Sequence, residues 1–479
     1  MTDPTPDTGA TAPHQEVTTP TRTETTKPGF DRRLLPAMML GAILNPVNST
    51  IVAVALIPIG QALGAPPAET AWLVSSLYLA TALGQPVVGR LIDLFGPRRL
   101  FLAATSLVGV AGVLGTMAPN LAVLIVARVV LGFGTCAGYP AAMALLRSEA
   151  RRTGRDSPAG VLTALAVTSQ TIAVIGPLLG GVLIGVGGWR ATFAINVPLA
   201  LAAVLLGLWL PKSESNTKPA SRIAQQLDLP GMALFAAMLL ALLLFLMNLH
   251  LSTWYLLAIA IAAGTAFAVR ELKAATPFID LRVLGGNRPL VTTYARAVVA
   301  YTVSYAFLYG FTQWTEEGYG LSPFVAGLVQ IPMFAVSIGV SILTGRRDGV
   351  RGKLLLGAVG QIVACGLMLT LTGESPLWTL ILLALIFGVP QGTNSLALQN
   401  SLYHQANPEH IGSSAGLLRT FGYLGSMIAS ATTAASFGQR ADTGGMHVLA
   451  WLMLGAGVLF LALTAFDRTL GRLRTREAD

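Results

Sequence analysis

Three arginines, Arg128, Arg296 and Arg419, stand inside apolar runs long enough to cross a bilayer. A guanidinium in hydrocarbon must find a partner or a watery cavity, so each marks a candidate site. Arg296 and Arg419 lie about eight residues in from one end of their runs, roughly 12 Å at helical rise. At that depth a guanidinium can also snorkel to the interface or cap carbonyls. If all three share one cavity, it is electropositive and suits an anionic, zwitterionic or neutral amphipathic ligand. Carboxyls are the complementary chemistry, because they exchange a proton at useful pH where an amide cannot. None of the 22 acidic residues falls mid-run. Glu316, Glu317 and Asp93 sit at run ends and are the candidate carboxyls for proton exchange. Uncharged groups that could line a cavity are Asn45, Asn48, Ser169, Gln170, Tyr301, Tyr305, Gln330, Gln391 and Asn394. Each could equally serve as an interhelical hydrogen bond.

The elements that must hold these residues follow from composition. Of 479 residues, 53% are hydrophobic and only 11% charged, against roughly 25% charged in soluble domains. The apolar segments predict fourteen spans, at 34–59, 71–91, 100–117, 121–146, 160–186, 191–210, 231–249, 252–270, 290–313, 322–344, 354–372, 377–401, 411–436 and 446–466. Most of the 31 basic residues then fall on one side, which by the positive-inside rule places both termini in the cytoplasm of a multi-pass cell-membrane protein. Charge so distributed argues against nucleic acid as a partner. Cys136 and Cys365 lie in separate spans and suggest buried thiols rather than a disulfide or metal site. No metal-ligand spacing, nucleophile elbow or phosphate loop points to an enzyme or a cofactor.

The expected fold is therefore an all-α integral membrane protein, with two pseudo-symmetric six-helix bundles (31–210 and 290–466) around a two-helix insertion (232–270). Residues 1–30 read as a disordered cytoplasmic tail, 211–231 as a cytoplasmic linker, 271–289 as an interfacial segment and 467–479 as a second tail.

Particular motifs sharpen this. After the second span the chain reads GQPVVGRLIDLFGPRRL, and Gly89, Leu91, Asp93, Gly96, Arg98 and Arg99 resemble the signature loop of the major facilitator superfamily. A degenerate echo at 345–353 follows the tenth span, where an internal repeat of six helices would put it. IGPLLGG at 175–181 resembles the antiporter motif of that superfamily's exporters, through Gly176, Pro177, Gly180 and Gly181, with Ile172 in place of its first glycine. GWRATFAINVPLA at 188–200 is similar to the sixth-helix start of fourteen-span drug:proton antiporters, and Arg128 opens RVVLGFG, which resembles the superfamily's fourth-helix motif and so implies a part in proton coupling.

The resemblance implies gating by Gly89, Asp93, Gly96, Arg98 and Arg99 and by the glycines and proline of 176–181. It implies alternating access, a small-molecule substrate, contact with membrane lipid, proton exchange, a monomer and no cofactor. Where that family carries a first-helix carboxylate, this chain has Asn48. Expectations are drug efflux coupled to protons, or export of a specific metabolite, anionic ones included, without them. A non-transporting sensor or scaffold is a third.

Overall fold

The computed structural model describes residues 31–153, 159–211, 228–248, 251–274, 277–279, 281–284, 286–345, 349–406, 411–467 and 470. The tail 1–30, nearly all of the 211–231 linker and most of 467–479 lie outside them. Every described regular element is helical. Numbered in chain order, the long helices begin with α1 (Leu35–Ile51, prolonged by a tighter turn Val52–Val54), α2 (Pro67–Phe95) and α3 (Pro97–Thr116). Then come α4 (Leu121–Thr135, resumed over Gly138–Thr153), α5 (Ala159–Gly187), and α6 (Ala191–Ala194 with Asn196–Gly207). The insertion is α7 (Leu229–Met247) and α8 (Trp254–Lys273). The second bundle holds α9 (Arg288–Ala306), α10 (Pro323–Gly345), α11 (Val350–Met368), α12 (Leu377–Gln405), α13 (Ile411–Phe437) and α14 (Thr443–Ala465). Ten of these are each long and apolar enough to cross a membrane, and α5 with α6 forms a bent pair that turns by 119°. Helices α9 and α13 complete the set of fourteen.

The halves meet along two helix pairs, α2 with α13 and α5 with α10, while α7 leans on α2 and α13. Small residues permit the close approaches. A Cβ on Gly181 of α5 would stand 2.6 Å from the Phe324 backbone of α10, and one on Gly180 would stand 2.6 Å from Val54. Gly176 abuts Thr50 of α1 in the same way. These contacts give the antiporter-like motif a physical job, which is to let three helices touch at backbone distance.

The two ends of these pairs differ. At the end away from the arginine clusters, Ala68 N–H donates to Gly438 O (3.1 Å) and Ser430 Oγ to Ala71 O (2.7 Å), both tying α2 to α13. At the basic end, a Cβ on Gly89, Gly339 or Gly416 would meet nothing within 4 Å. These bonds tie the arginine-poor end shut, and the three glycines at the basic end face open space. Gly89, read as a gating residue, has open space around it here, while Gly84 packs against Cys136 and Phe133.

One local feature departs from expectation. Helix α9 does not stop near 313; it runs on through two π-helical turns, Phe307–Phe311 and Trp314–Gly318, which carries Glu316 and Glu317 into the helix. Trp189 is buried against Phe193, and Arg190 stacks over its ring at 4.2 Å. Cys136 and Cys365 are free and buried.

Candidate functional site

Between the halves lies a ladder of tyrosines. Tyr301, Tyr305 and Tyr309 follow one another at four-residue steps, which places them on one face of α9, and their rings stack at 6.2 and 5.8 Å. Tyr78 of α2 meets Tyr305 edge-on at 5.4 Å and stacks on Tyr423 of α13 at 5.7 Å. Hydroxyls close the far rung. Tyr309 donates to Ser49 O (3.1 Å), so the 3.0 Å contact between Tyr309 and Tyr78 leaves Tyr78 as the donor. Gln85 Nε2 donates to the Tyr423 hydroxyl across the halves (3.1 Å). Exposure rises along the ladder toward the basic end. Tyr78 and Tyr309 are buried, Tyr301, Tyr305 and Tyr423 half-buried, and Arg419 exposed although it lies inside a span. Its guanidinium sits 3.8 Å above the Tyr139 ring of α4. Such a stack leaves the outer edge of the fork free to meet a ligand.

Arg128 anchors the closed side of this cleft. It is 2% exposed, and its Nε donates to Leu73 O (2.8 Å) and its Nη1 to Asn48 O (3.1 Å). Nη2 has no partner among the described residues. One fork thus ties α4 to α1 and α2 with a donor to spare. Asn48 contributes only its backbone to Arg128. Its side chain donates to Leu44 O (2.9 Å) and to Asn196 Oδ1 of α6 (2.7 Å). The carboxylate expected beside Arg128 from the resemblance is replaced by two carbonyl oxygens.

Other candidates divide clearly. Arg296 does not reach the cleft: it is fully buried, donates to Leu463 O and pairs with Asp467 past the end of α14. Asn45 binds α1 to α4 through Thr135 (3.1 Å), and Gln330 binds α10 to α9 through Thr312 (2.8 Å). Asn394 packs on Gly357 of α11, inside the second bundle rather than the cleft, and Gln391 is half-buried on the same helix. Glu317 accepts from Ala441 N–H (2.9 Å) and lies 3.6 Å from Arg440. Together with Gln61, Thr70 and Gln439 it borders a cavity of about 250 Å³ at the sealed end of the seam. Glu316 is buried, with no partner for either oxygen among the described residues. The side chains of Asp93, Ser169 and Gln170 lie outside the described residues. Pro177 lies within α5, and its carbonyl faces Gly327 of α10. Gly96, at φ 84°, makes the turn from α2 into α3 that carries Arg98 and Arg99, a conformation that favours glycine.

The pattern of the Major Facilitator Superfamily matches residues 38–430. This chain belongs to that superfamily. It is 30% identical over 453 residues to the lincomycin resistance protein of Streptomyces lincolnensis, covering 91% of this chain and 92% of that one. It is also 30% identical to the tetracenomycin C resistance and export protein of Streptomyces glaucescens, over 77% of this chain and 69% of the other. Among solved structures, a bacterial homologue of the human lysosomal transporter Spinster superposes with a TM-score of 0.64 at 16% identity, covering 93% and 98%. That likeness shows the shared fold. The superfamily member described here is a multi-helix membrane transporter whose relatives include antibiotic resistance proteins.

Tyr78, Tyr139, Tyr309, Tyr423 and Gln85 complete the cleft and were not singled out from sequence. A signal existed for one of them: the four-residue spacing of Tyr301 and Tyr305 continues to Tyr309. The others come from helices whose facing surfaces only the packing defines.

Proposed function

We propose that this chain exports amphipathic, ring-bearing small molecules from the cytoplasm by alternating access, in exchange for protons. The observation that carries the reading is the tyrosine-lined cleft between the halves, tipped by Arg419, open at the basic end and shut at the other. By the positive-inside rule the basic end is cytoplasmic, so both termini are inside the cell and the cleft faces the compartment from which an exporter loads. Tyrosine faces and an amide accept flat ligands of varied outline through stacking rather than a fixed hydrogen-bond code. Two guanidiniums with no facing carboxylate among the described residues favour neutral or anionic cargo over simple cations. Both walls come from one chain, so a monomer in lipid suffices. The likeness to two resistance proteins supports efflux.

Rocking of the bundles about the α2–α13 and α5–α10 seams would close the basic end and open the other. A second reading has one observation in its favour: Asn48 and Asn196 form an amide pair where the resemblance would put a proton-carrying carboxylate. It is export of a single anionic metabolite without proton coupling.

A resistance panel on cells expressing the protein, with and without an uncoupler, separates the two. Broad protection that the uncoupler abolishes is expected. Unprotected cells whose deletion strain accumulates one internal compound would overturn the first reading in favour of the second.

A further inference from the structure

Glu316 is 8% exposed and sits in the π-helical turn Trp314–Gly318 that ends α9. Neither of its carboxyl oxygens has a hydrogen-bond partner among the described residues. Among the described residues, the titratable and charged groups on the segments packed around that turn are engaged elsewhere, except Glu374, which is exposed to solvent on the loop beside Gly318. Glu317 accepts from Ala441 N–H and faces Arg440. Asp442 caps α14 by accepting from Gly445 N–H, His447 bonds Leu371 O, and the Tyr319 hydroxyl donates to Ser375 O. From α10 comes the uncharged Gln330. A carboxylate so placed would be a buried, unpaired charge, which folded proteins avoid by keeping the group neutral.

The position is as informative as the burial. Glu317, the next residue, borders the seam cavity at the sealed end, so any parting of the halves there brings water to this turn. In the other direction, Gln313 Nε2 donates to Tyr309 O (3.2 Å). Gln313 Oε1 and Gln330 Oε1 are buried acceptors with no partner among the described residues, and Gln330 Nε2 donates to Thr312. A polar file therefore runs from Glu316 toward Tyr309 and the cleft. π-Helical turns inside α-helices recur at functional sites, and here two of them bracket that file.

We propose that Glu316 is the proton-binding carboxyl of this transporter, neutral while the arginine-poor end is sealed and ionised when that end opens to water. This rests on the proton-exchange reading above and names the residue that carries it. In the open state the carboxylate takes a proton from hydronium outside and leaves water. Closure then buries the neutral acid. Loss of the proton along the polar file to water in the cleft restores a buried carboxylate, which destabilises the closed seam and drives it open again.

The test reads the gate directly and needs no cargo. Full-length protein with Cys136 and Cys365 replaced by alanine carries spin labels at Gln61→Cys and Gln439→Cys, one on each side of the seam, in lipid nanodiscs. Distances between them are measured from mildly acid to mildly alkaline pH. In the parent the ratio of open to closed rises by about tenfold per pH unit below its midpoint, one proton's linkage. Glu316→Gln, and Glu316→Met as a second neutral variant, remain closed throughout, whereas Glu317→Gln keeps the slope. Persistence of the parent's slope in both Glu316 variants, or no slope in the parent, would overturn the proposal. A negative resistance panel would remove the export reading and leave this gate result standing.

Discussion

Arg419 and Arg128 carry the same charge into the cleft, yet they should fail differently. Arg419 stacks on Tyr139 and is exposed, so its removal costs the fold little and the ligand much. Arg419→Ala is expected to slow export of carboxylated aromatic compounds by about tenfold to a hundredfold, the worth of one charge-assisted hydrogen bond. Neutral compounds of similar shape should lose only a few-fold. Efflux rates from inverted vesicles, measured for a matched acid and its methyl ester, check this; equal losses would remove the charge argument. Arg128→Met should instead remove two charge-assisted hydrogen bonds, to Leu73 O and Asn48 O, at about 1.5–3 kcal/mol each, and lower the unfolding temperature in detergent.

The positions of these arginines were legible from composition, but their partners were not. Arg296 looks like Arg419 in sequence, since both stand about eight residues inside a span. It is neutralised by Asp467, 171 residues away and just beyond the last predicted span, and no local pattern announces such a pair. Asn48 shows the reverse. Its place in the motif was readable, but packing turns its side chain to Asn196 and offers Arg128 only the backbone.

At the scale of elements, apolar length set the helices and glycine spacing set which of them touch. The register within a helix needed the structure. The run to 313 gave no sign that α9 continues to Gly318, because the polar TQWTEEG stretch reads as a loop until α14 and its cap cover it. The insertion is held by a similar device. Asp228 caps α7 through Gly231 N–H (3.0 Å) and takes two hydrogen bonds from Arg270 of α8, while the buried Glu271 accepts from Ile279 N–H. Burial pushes the Asp228 carboxyl up, but the bonds from Arg270 and Gly231 outweigh it and hold the group below its ordinary value. A carboxyl lowered in the fold stabilises it fully above about pH 3.9, the unfolded value. That contribution is lost as pH falls through the folded value. Asp228→Asn is therefore expected to unfold at a lower temperature than the parent at neutral pH, with the gap closing in strong acid. A gap that stays constant with pH would show the cap, and not the charge, to be what matters.

For the molecule as a whole, one equilibrium should answer to both ends of the seam. Gly181 is in contact at the sealed end, while Gly89 at the basic end has open space around it. Alternating access requires that space to close when the other end opens, so the two glycines oppose each other energetically although both belong to motifs read as gating. A valine at 181 intrudes on Phe324 and should disfavour the present state by about 1–3 kcal/mol, the usual cost of overpacking. Valine at 89 should leave the present state untouched and disfavour its opposite by a similar amount. Thr70, buried beside the seam cavity, reports the balance when changed to cysteine in a background with alanine at 136 and 365. Its reaction with a membrane-impermeant maleimide should speed up about five- to a hundredfold in Gly181→Val, by the same conversion. It should slow in Gly89→Val and return near the parent rate when both are present, because distant substitutions acting on one equilibrium add. If the double variant instead kept the accelerated rate of Gly181→Val, the ends would be moving independently, and a rocking pair of bundles would be the wrong description.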